Sequence, residues 1–139
     1  MNEFISGRLA DGSRSLAIDD TSRIVILSDL HMGDGGRMDD FAKNAVLVRD
    51  ALEKYYLPRG FTVILNGDIE ELLRNRLSGI RNAWPDMYRL FARFKSEGRL
   101  VRLIGNHEIV RNPDGDRGRF DGESIRLTYG GNTLLVFHG

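Results

Sequence analysis

Asp29 and His31 stand two residues apart, directly after the apolar run at residues 23–27 (RIVIL). A second cluster, Asn66-Gly67-Asp68, follows residues 61–65 (FTVIL), and a third, Gly105-Asn106-His107-Glu108, follows residues 100–104 (LVRLI). A fourth, His138-Gly139, follows residues 133–137 (TLLVF), and these clusters hold all 3 histidines of the chain. Imidazole, carboxylate and amide donors without thiolate suit a borderline or hard divalent cation such as Mn²⁺, Zn²⁺ or Fe²⁺. Asp29 and His31 would share one side of an extended chain and could grip one ion together. A glycine beside each cluster lets the backbone turn sharply. One histidine near a strand end is ordinarily a satisfied polar residue. Four such clusters after four successive strands read instead as a site.

The elements that must position these residues are legible. The apolar runs at 23–27, 61–65 and 100–104 predict strands covered on both faces. Residues 38–55 place Met38, Phe41, Ala45, Val48, Leu52 and Tyr55 at helical spacing, with Pro58 and Gly60 beyond. Residues 69–77 predict a short helix. A longer one begins near Pro85, buries Met87, Leu90, Phe91 and Phe94, and stops at Gly98. Residues 124–137 predict a hairpin about Gly130-Gly131, its second arm being a fourth buried strand. Residues 1–22 are polar, with one short strand expected at 4–9. Strands alternating with helices indicate an α/β fold, and strands side by side in one direction would bring all four clusters to one rim of a sheet.

The motifs DLH (29–31), GDIEE (67–71), GNHE (105–108) and FHG (137–139) resemble, in order, the first four motifs of the calcineurin-like metallophosphoesterase family. The resemblance implies a layered α-β-β-α sandwich, a mixed sheet with flanking helices, and a centre of two divalent cations, Mn²⁺ foremost, with Fe or Zn²⁺ as alternatives. It implies that Asp29 and His31 bind the first ion, that Asp68 bridges both, and that Asn106 and His138 bind the second. His107 would stand over the site to protonate the leaving group or bind a phosphoryl oxygen. Glu71, where many members carry Asp, would orient it. The implied reaction is hydrolysis of phosphomonoester, phosphodiester or pyrophosphate bonds by a hydroxide held between the two ions. The substrate would be a phosphorylated small molecule or nucleotide-type compound. Glu71-Leu72-Leu73 stands where protein phosphatases of this group carry Asp-Arg-Gly, which disfavours a protein substrate. Arg74 and Arg76 lie just past the second motif and are candidates to meet an anionic substrate.

The resemblance runs from Ile24 to Gly139 and does not reach the family's fifth motif, Gly-His-x-His. The expectation is a single domain over 1–139 lacking its C-terminal part, weak or inactive by itself. The alternative reading is a non-catalytic fragment or metal-binding interaction module of the same fold. An exposed sheet edge would then favour pairing with a second copy.

Composition narrows the classes further. Twenty basic and 20 acidic residues cancel, so no nucleic-acid face is evident, and no apolar run is long enough to span a bilayer. Cysteine is absent, which excludes disulfides and thiolate metal sites, and the N-terminus has no signal pattern; a cytoplasmic protein is expected. Residues 31–38 do not make a dinucleotide loop, because Met38 stands at the third glycine position. Asn112, Asp114, Asp116 and Glu123 take calcium-loop spacing, but Arg117 replaces the required glycine.

Overall fold

The computed structural model describes residues 14–111 and 119–139. In chain order it carries β1 (Arg14–Ala17), β2 (Ile24–Leu27), helix α1 (Ala45–Asp50) running into a π-helical segment (Ala51–Tyr56), and β3 (Thr62–Asn66). Helices α2 (Leu77–Ala83) and α3 (Pro85–Ser96) follow, then β4 (Leu100–Leu103), α4 (Asn106–Arg111), β5 (Ser124–Tyr129) and β6 (Asn132–Phe137). The strand expected at 4–9, and most of the loop with Asn112, Asp114 and Asp116, lie outside the described residues.

The strands form two sheets, not one. In the first, β3 is central, with β2 and β4 parallel on either side. The register pairs Leu27 with Leu65 and Asn66 with Leu103, so the three strands end level. In the second, β5 lies between β1, parallel to it, and β6, antiparallel to it. The mixed sheet of the sequence reading is thus this second one. β6 corrects that reading as well: it is an edge strand, with Leu134 exposed and only Val136 buried. The reason is the tight turn at Gly130-Gly131, whose φ values of +52° and +82° suit a two-residue hairpin. A strand that follows such a turn pairs antiparallel with its predecessor and cannot join a parallel sheet without a long crossover.

Side-chain alternation along β3 divides the core. Val63 and Leu65 pack with Phe41, Leu52, Ile80, Met87, Phe91 and Phe94 from the helical side. Ile64 faces the other way and clusters with Val101 and Leu103 of β4 and Ile125, Leu127 and Val136 of the second sheet.

Helix α3 follows its sequence: Pro85 opens it, its four predicted apolar residues are buried, and Gly98, at φ +69°, closes it. The helix expected over 38–55 begins later, at Ala45, and Met38 is exposed. Asp39 accounts for the difference. Its buried carboxylate accepts the N–H groups of Gly33, Gly35 and Phe41 and the Trp84 indole N–H at 2.8–3.0 Å, which holds residues 33–41 as a loop. Further on, Tyr56 rather than Tyr55 packs on the core. The wider π turn, with Leu57 N–H bonded to the Leu52 carbonyl at 2.9 Å, moves the inward position one residue along. Residues 69–76 are not helical: Ile69 and Glu70 are fully buried in a strand-like extension beside Met32, and the chain turns before α2 begins at Leu77.

Candidate metal centre

The ends of β2 and β3 do not fray apart. The Asp29 N–H bonds the Gly67 carbonyl at 3.2 Å, the His31 N–H the Asp68 carbonyl at 3.1 Å, and the Met32 N–H the Ile69 carbonyl at 2.8 Å. Along this seam Asp29, His31 and Asp68 all take positive φ, at 55°, 48° and 52°, and they are the only non-glycine residues to do so among the described residues. A non-glycine left-handed residue costs roughly 1–2 kcal/mol and persists where its surroundings over-determine it. Asp and His tolerate that region better than most residues.

Glu108 does much of that work. Its buried carboxylate accepts the N–H groups of Asp68 at 3.0 Å and Ile69 at 3.1 Å, and also that of Gly105. Burial pushes its pKa up, while the Gly105 and Asp68 N–H groups favour the charged form. From the other side, the His107 N–H bonds Asp68 Oδ1 at 3.0 Å. Two glycines allow the close approach. A Cβ on Gly105 would lie 2.2 Å from Asp68 Oδ1, and one on Gly67 would lie 2.7 Å from the His138 ring and 2.8 Å from Gly105 Cα.

The side chains then converge. Asp68 is almost fully buried at the floor, with 4% of its side chain exposed, whereas Asp29 is at the open rim with 55% exposed. Asp29 Oδ1 is 3.6 Å from His31 Nε2. Asp68 Oδ2 is 3.8 Å from His107 Nε2 and 3.3 Å from His138 Nε2. Asn106 Oδ1 is 2.9 Å from His138 Nε2. Glu71 reaches Nδ1 of His31 and Nδ1 of His107, each at 3.2 Å. Although β6 belongs to the other sheet, its end returns here: Asn66 Nδ2 donates to the Phe137 carbonyl at 3.1 Å, and His138 Nδ1 bonds the Asn66 carbonyl at 2.9 Å.

This donor set fits a cation. His138 Nδ1 faces a carbonyl, which only accepts, so Nε2 of the neutral ring presents a lone pair. That lone pair meets the Asn106 and Asp68 oxygens, and an added cation between them would hold the three electron-rich atoms together. Two groups have ligand atoms all within 4.8 Å of one another: His31, Asp68 and His107, and Asp29, Asp68 and His138. Asp68 is in both.

The seven residues from Asp29 to His138 singled out in the sequence as ligands or as catalytic groups therefore come together. Arg74 and Arg76 are exposed in the turn after Glu71, and their guanidinium groups have no ion-pair partner among the described residues. The sequence reading assigned no role to Glu108 or to Asn66, and both hold the site by pairing with backbone. A buried cluster beside it was also not foreseen. Glu70 accepts from Tyr88 Oη at 2.7 Å and from Arg102, with Arg119 at 3.9 Å. Burial works against its charge, but Arg102, Tyr88 and Arg119 outweigh burial and hold its pKa below the ordinary glutamate value.

The family model for calcineurin-like phosphoesterase matches residues 22–139. The chain belongs to the calcineurin-like phosphoesterase family. That membership covers all four sequence motifs and makes the chain a member of a group of metal-dependent phosphoesterases, hydrolases that act on phosphate esters. Members of this calcineurin-like family bind divalent metals, as the His and Asp groups here would. No curated protein matches the chain significantly. No helix among the described residues is long and apolar enough to cross a membrane.

Proposed function

We propose that this calcineurin-like chain is a phosphoesterase that works through two divalent cations sharing Asp68. The observation that carries this reading is the presence of Asp68 in both ligand groups, its Oδ2 being the oxygen that faces both His107 and His138. In this reading, which follows the family motifs, Asp29, His31 and Asp68 hold one ion, and Asp68, Asn106 and His138 hold the other, whereas the spatial groups set His107 beside His31 and Asp29 beside His138. Mn²⁺ suits a set of carboxylate, imidazole and amide donors best, with Fe or Zn²⁺ as alternatives. When bound, such a pair clamps phosphoryl oxygens and makes water nucleophilic at neutral pH.

The remaining residues act around that pair. His107 Nε2 points into the site from a ring whose Nδ1 is braced by Glu71, an arrangement suited to handing a proton to the leaving oxygen. The Glu71 carboxylate offsets the ring's positive charge while it holds that proton. Arg74 and Arg76 are the cations we assign to the anionic end of a substrate. The fold around the site is in this reading of the α-β-β-α type, with a helical layer on one face of the parallel sheet and the second sheet on the other.

The test is hydrolysis of aryl phosphate mono- and diesters and of pyrophosphate, with Mn²⁺ supplied and with chelator. Turnover in Mn²⁺ that chelator abolishes is the expected result. Turnover that survives complete removal of metal overturns the reading.

A further inference from the structure

We propose that Glu71 is a positioning residue shared by two imidazoles, and that its one carboxylate sets the tautomer of both His31 and His107. The inference rests on the reading of these rings as facing a cation pair. It goes beyond that reading by tying a metal ligand and the proton donor to one side chain.

The geometry is symmetric about the carboxylate. Oε2 lies 3.2 Å from His31 Nδ1 and Oε1 lies 3.2 Å from His107 Nδ1. The two rings stand edge to face with centroids 4.9 Å apart. The backbone of Glu71 is anchored from both sides, its N–H on the Met32 carbonyl at 3.0 Å and its carbonyl on the Asn75 N–H at 3.1 Å. Its side chain is only 13% exposed, so water competes poorly for its oxygens.

The chemistry follows from what a carboxylate lacks. An ionised carboxylate accepts and cannot donate, so each Nδ1 that bonds it must carry a proton. In the neutral ring Nε2 is then the lone-pair nitrogen, and in both rings Nε2 is the atom nearer the aspartates: Asp29 Oδ1 at 3.6 Å for His31 and Asp68 Oδ2 at 3.8 Å for His107. Each ring so braced offers its free nitrogen to the site. A side chain shorter by one C–C bond, about 1.5 Å, would have to approach one ring and leave the other. Glutamine keeps the length and shape but offers one acceptor and one NH₂ donor. Its oxygen can hold one Nδ1–H, while its NH₂ needs an acceptor and drives the other ring to the Nε2–H tautomer, which closes that nitrogen to a cation.

The experiment reads tautomers in the metal-free chain by long-range ¹H–¹⁵N correlation at about pH 8, above the ordinary histidine range. The chain has 3 histidines. His138, braced by the Asn66 carbonyl and not by Glu71, is the internal reference for an intact fold. In the unaltered protein His31 and His107 are both expected as Nδ1–H. In Glu71→Gln one of the two is expected to switch to Nε2–H, and where that ring is His31, the metal ligand, a loss of about 10–100-fold in affinity for Zn²⁺, titrated as a diamagnetic probe, accompanies it. In Glu71→Ala both are expected to lose the Nδ1–H preference while His138 keeps its signal. A change confined to His107 in Glu71→Ala overturns the proposal, because Glu71 would then serve one ring only. So does an unchanged pair in Glu71→Gln with His138 intact. If Glu71→Ala disturbs His138, the isosteric Glu71→Gln decides alone. Correct tautomers in a protein with no hydrolytic activity would count against the phosphoesterase reading and leave this one standing.

Discussion

Glu108 holds the backbone of Asp68 across 40 positions of sequence, its Oε2 accepting the Asp68 N–H at 3.0 Å. The residue that both ligand groups share is thus set in place by a carboxylate that is itself no part of either group. Glu108→Ala would leave the N–H groups of Asp68, Ile69 and Gly105 without their acceptor inside the protein. Unpaired buried donors cost about 1–3 kcal/mol each, partly relieved by water. The expected loss is about 2–4 kcal/mol in denaturant unfolding, with Glu108→Gln intermediate because its amide keeps one acceptor oxygen. An unchanged midpoint for Glu108→Ala would show that the loop holds its conformation without this side chain.

Gly105→Ala is expected to be the more damaging of two small changes. Its added methyl would meet Asp68 Oδ1 at 2.2 Å and Asp68 N at 2.3 Å, and backbone cannot step aside cheaply. The expectation is a loss of about 3 kcal/mol or more, together with weakened metal binding. Gly60→Ala, where nothing lies within 4 Å, is the control: its positive φ of 73° brings strain alone. Similar unfolding midpoints for the two variants would count against the tight packing of Gly105 on Asp68.

Asp68→Ala and His107→Ala separate the two kinds of role. Removing Asp68 is expected to lose metal and activity together. Removing His107 is expected to leave metal bound and slow turnover by about 10²–10⁴-fold, the usual range for a lost proton donor. Elemental analysis of both purified variants distinguishes them. Equal metal loss would make His107 a ligand, as its grouping with His31 and Asp68 permits, and would remove it from the proton-donor role.

Glu70 predicts how the protein responds to acid. Its folded pKa lies below the ordinary 4.5, so its charge with Arg102 contributes stability that is present above about pH 4.5. That contribution is lost as pH falls through the lowered folded value, because the unfolded chain then binds the proton more readily. Glu70→Gln is expected to cost about 3 kcal/mol at neutral pH by stranding Arg102, and to flatten the acid side of the stability profile. Glu108, whose pKa is raised, acts with the opposite sign: its contribution is greatest in acid and is lost as pH rises through the folded value. Unfolding followed from pH 3 to 7 reads both slopes, and an acid limb in Glu70→Gln as steep as the parent's would contradict the assignment to Glu70.

Local pattern by itself determined, to within one residue, where β2, β3 and β4 end, that ligand-type residues stand at or just past those ends, that Gly130-Gly131 turns a hairpin, and that α3 runs from Pro85 to a glycine stop. Those signals reside in side-chain period and in the φ preferences of Pro and Gly, which act within a few residues of chain. Only the tertiary structure decided that β6 edges a second sheet while its end still delivers His138, that Ile69 and Glu70 are pulled straight beside Met32, and that Asp39 keeps residues 33–41 out of a helix. It also decided that one Glu71 carboxylate spans His31 and His107, and that Glu108, not a residue near Asp68 in sequence, bears the left-handed turn at Asp68. The last two depend on which backbone N–H or ring nitrogen a carboxylate meets 36 to 40 positions away. Strand register and burial choose that partner, and no local periodicity carries the information.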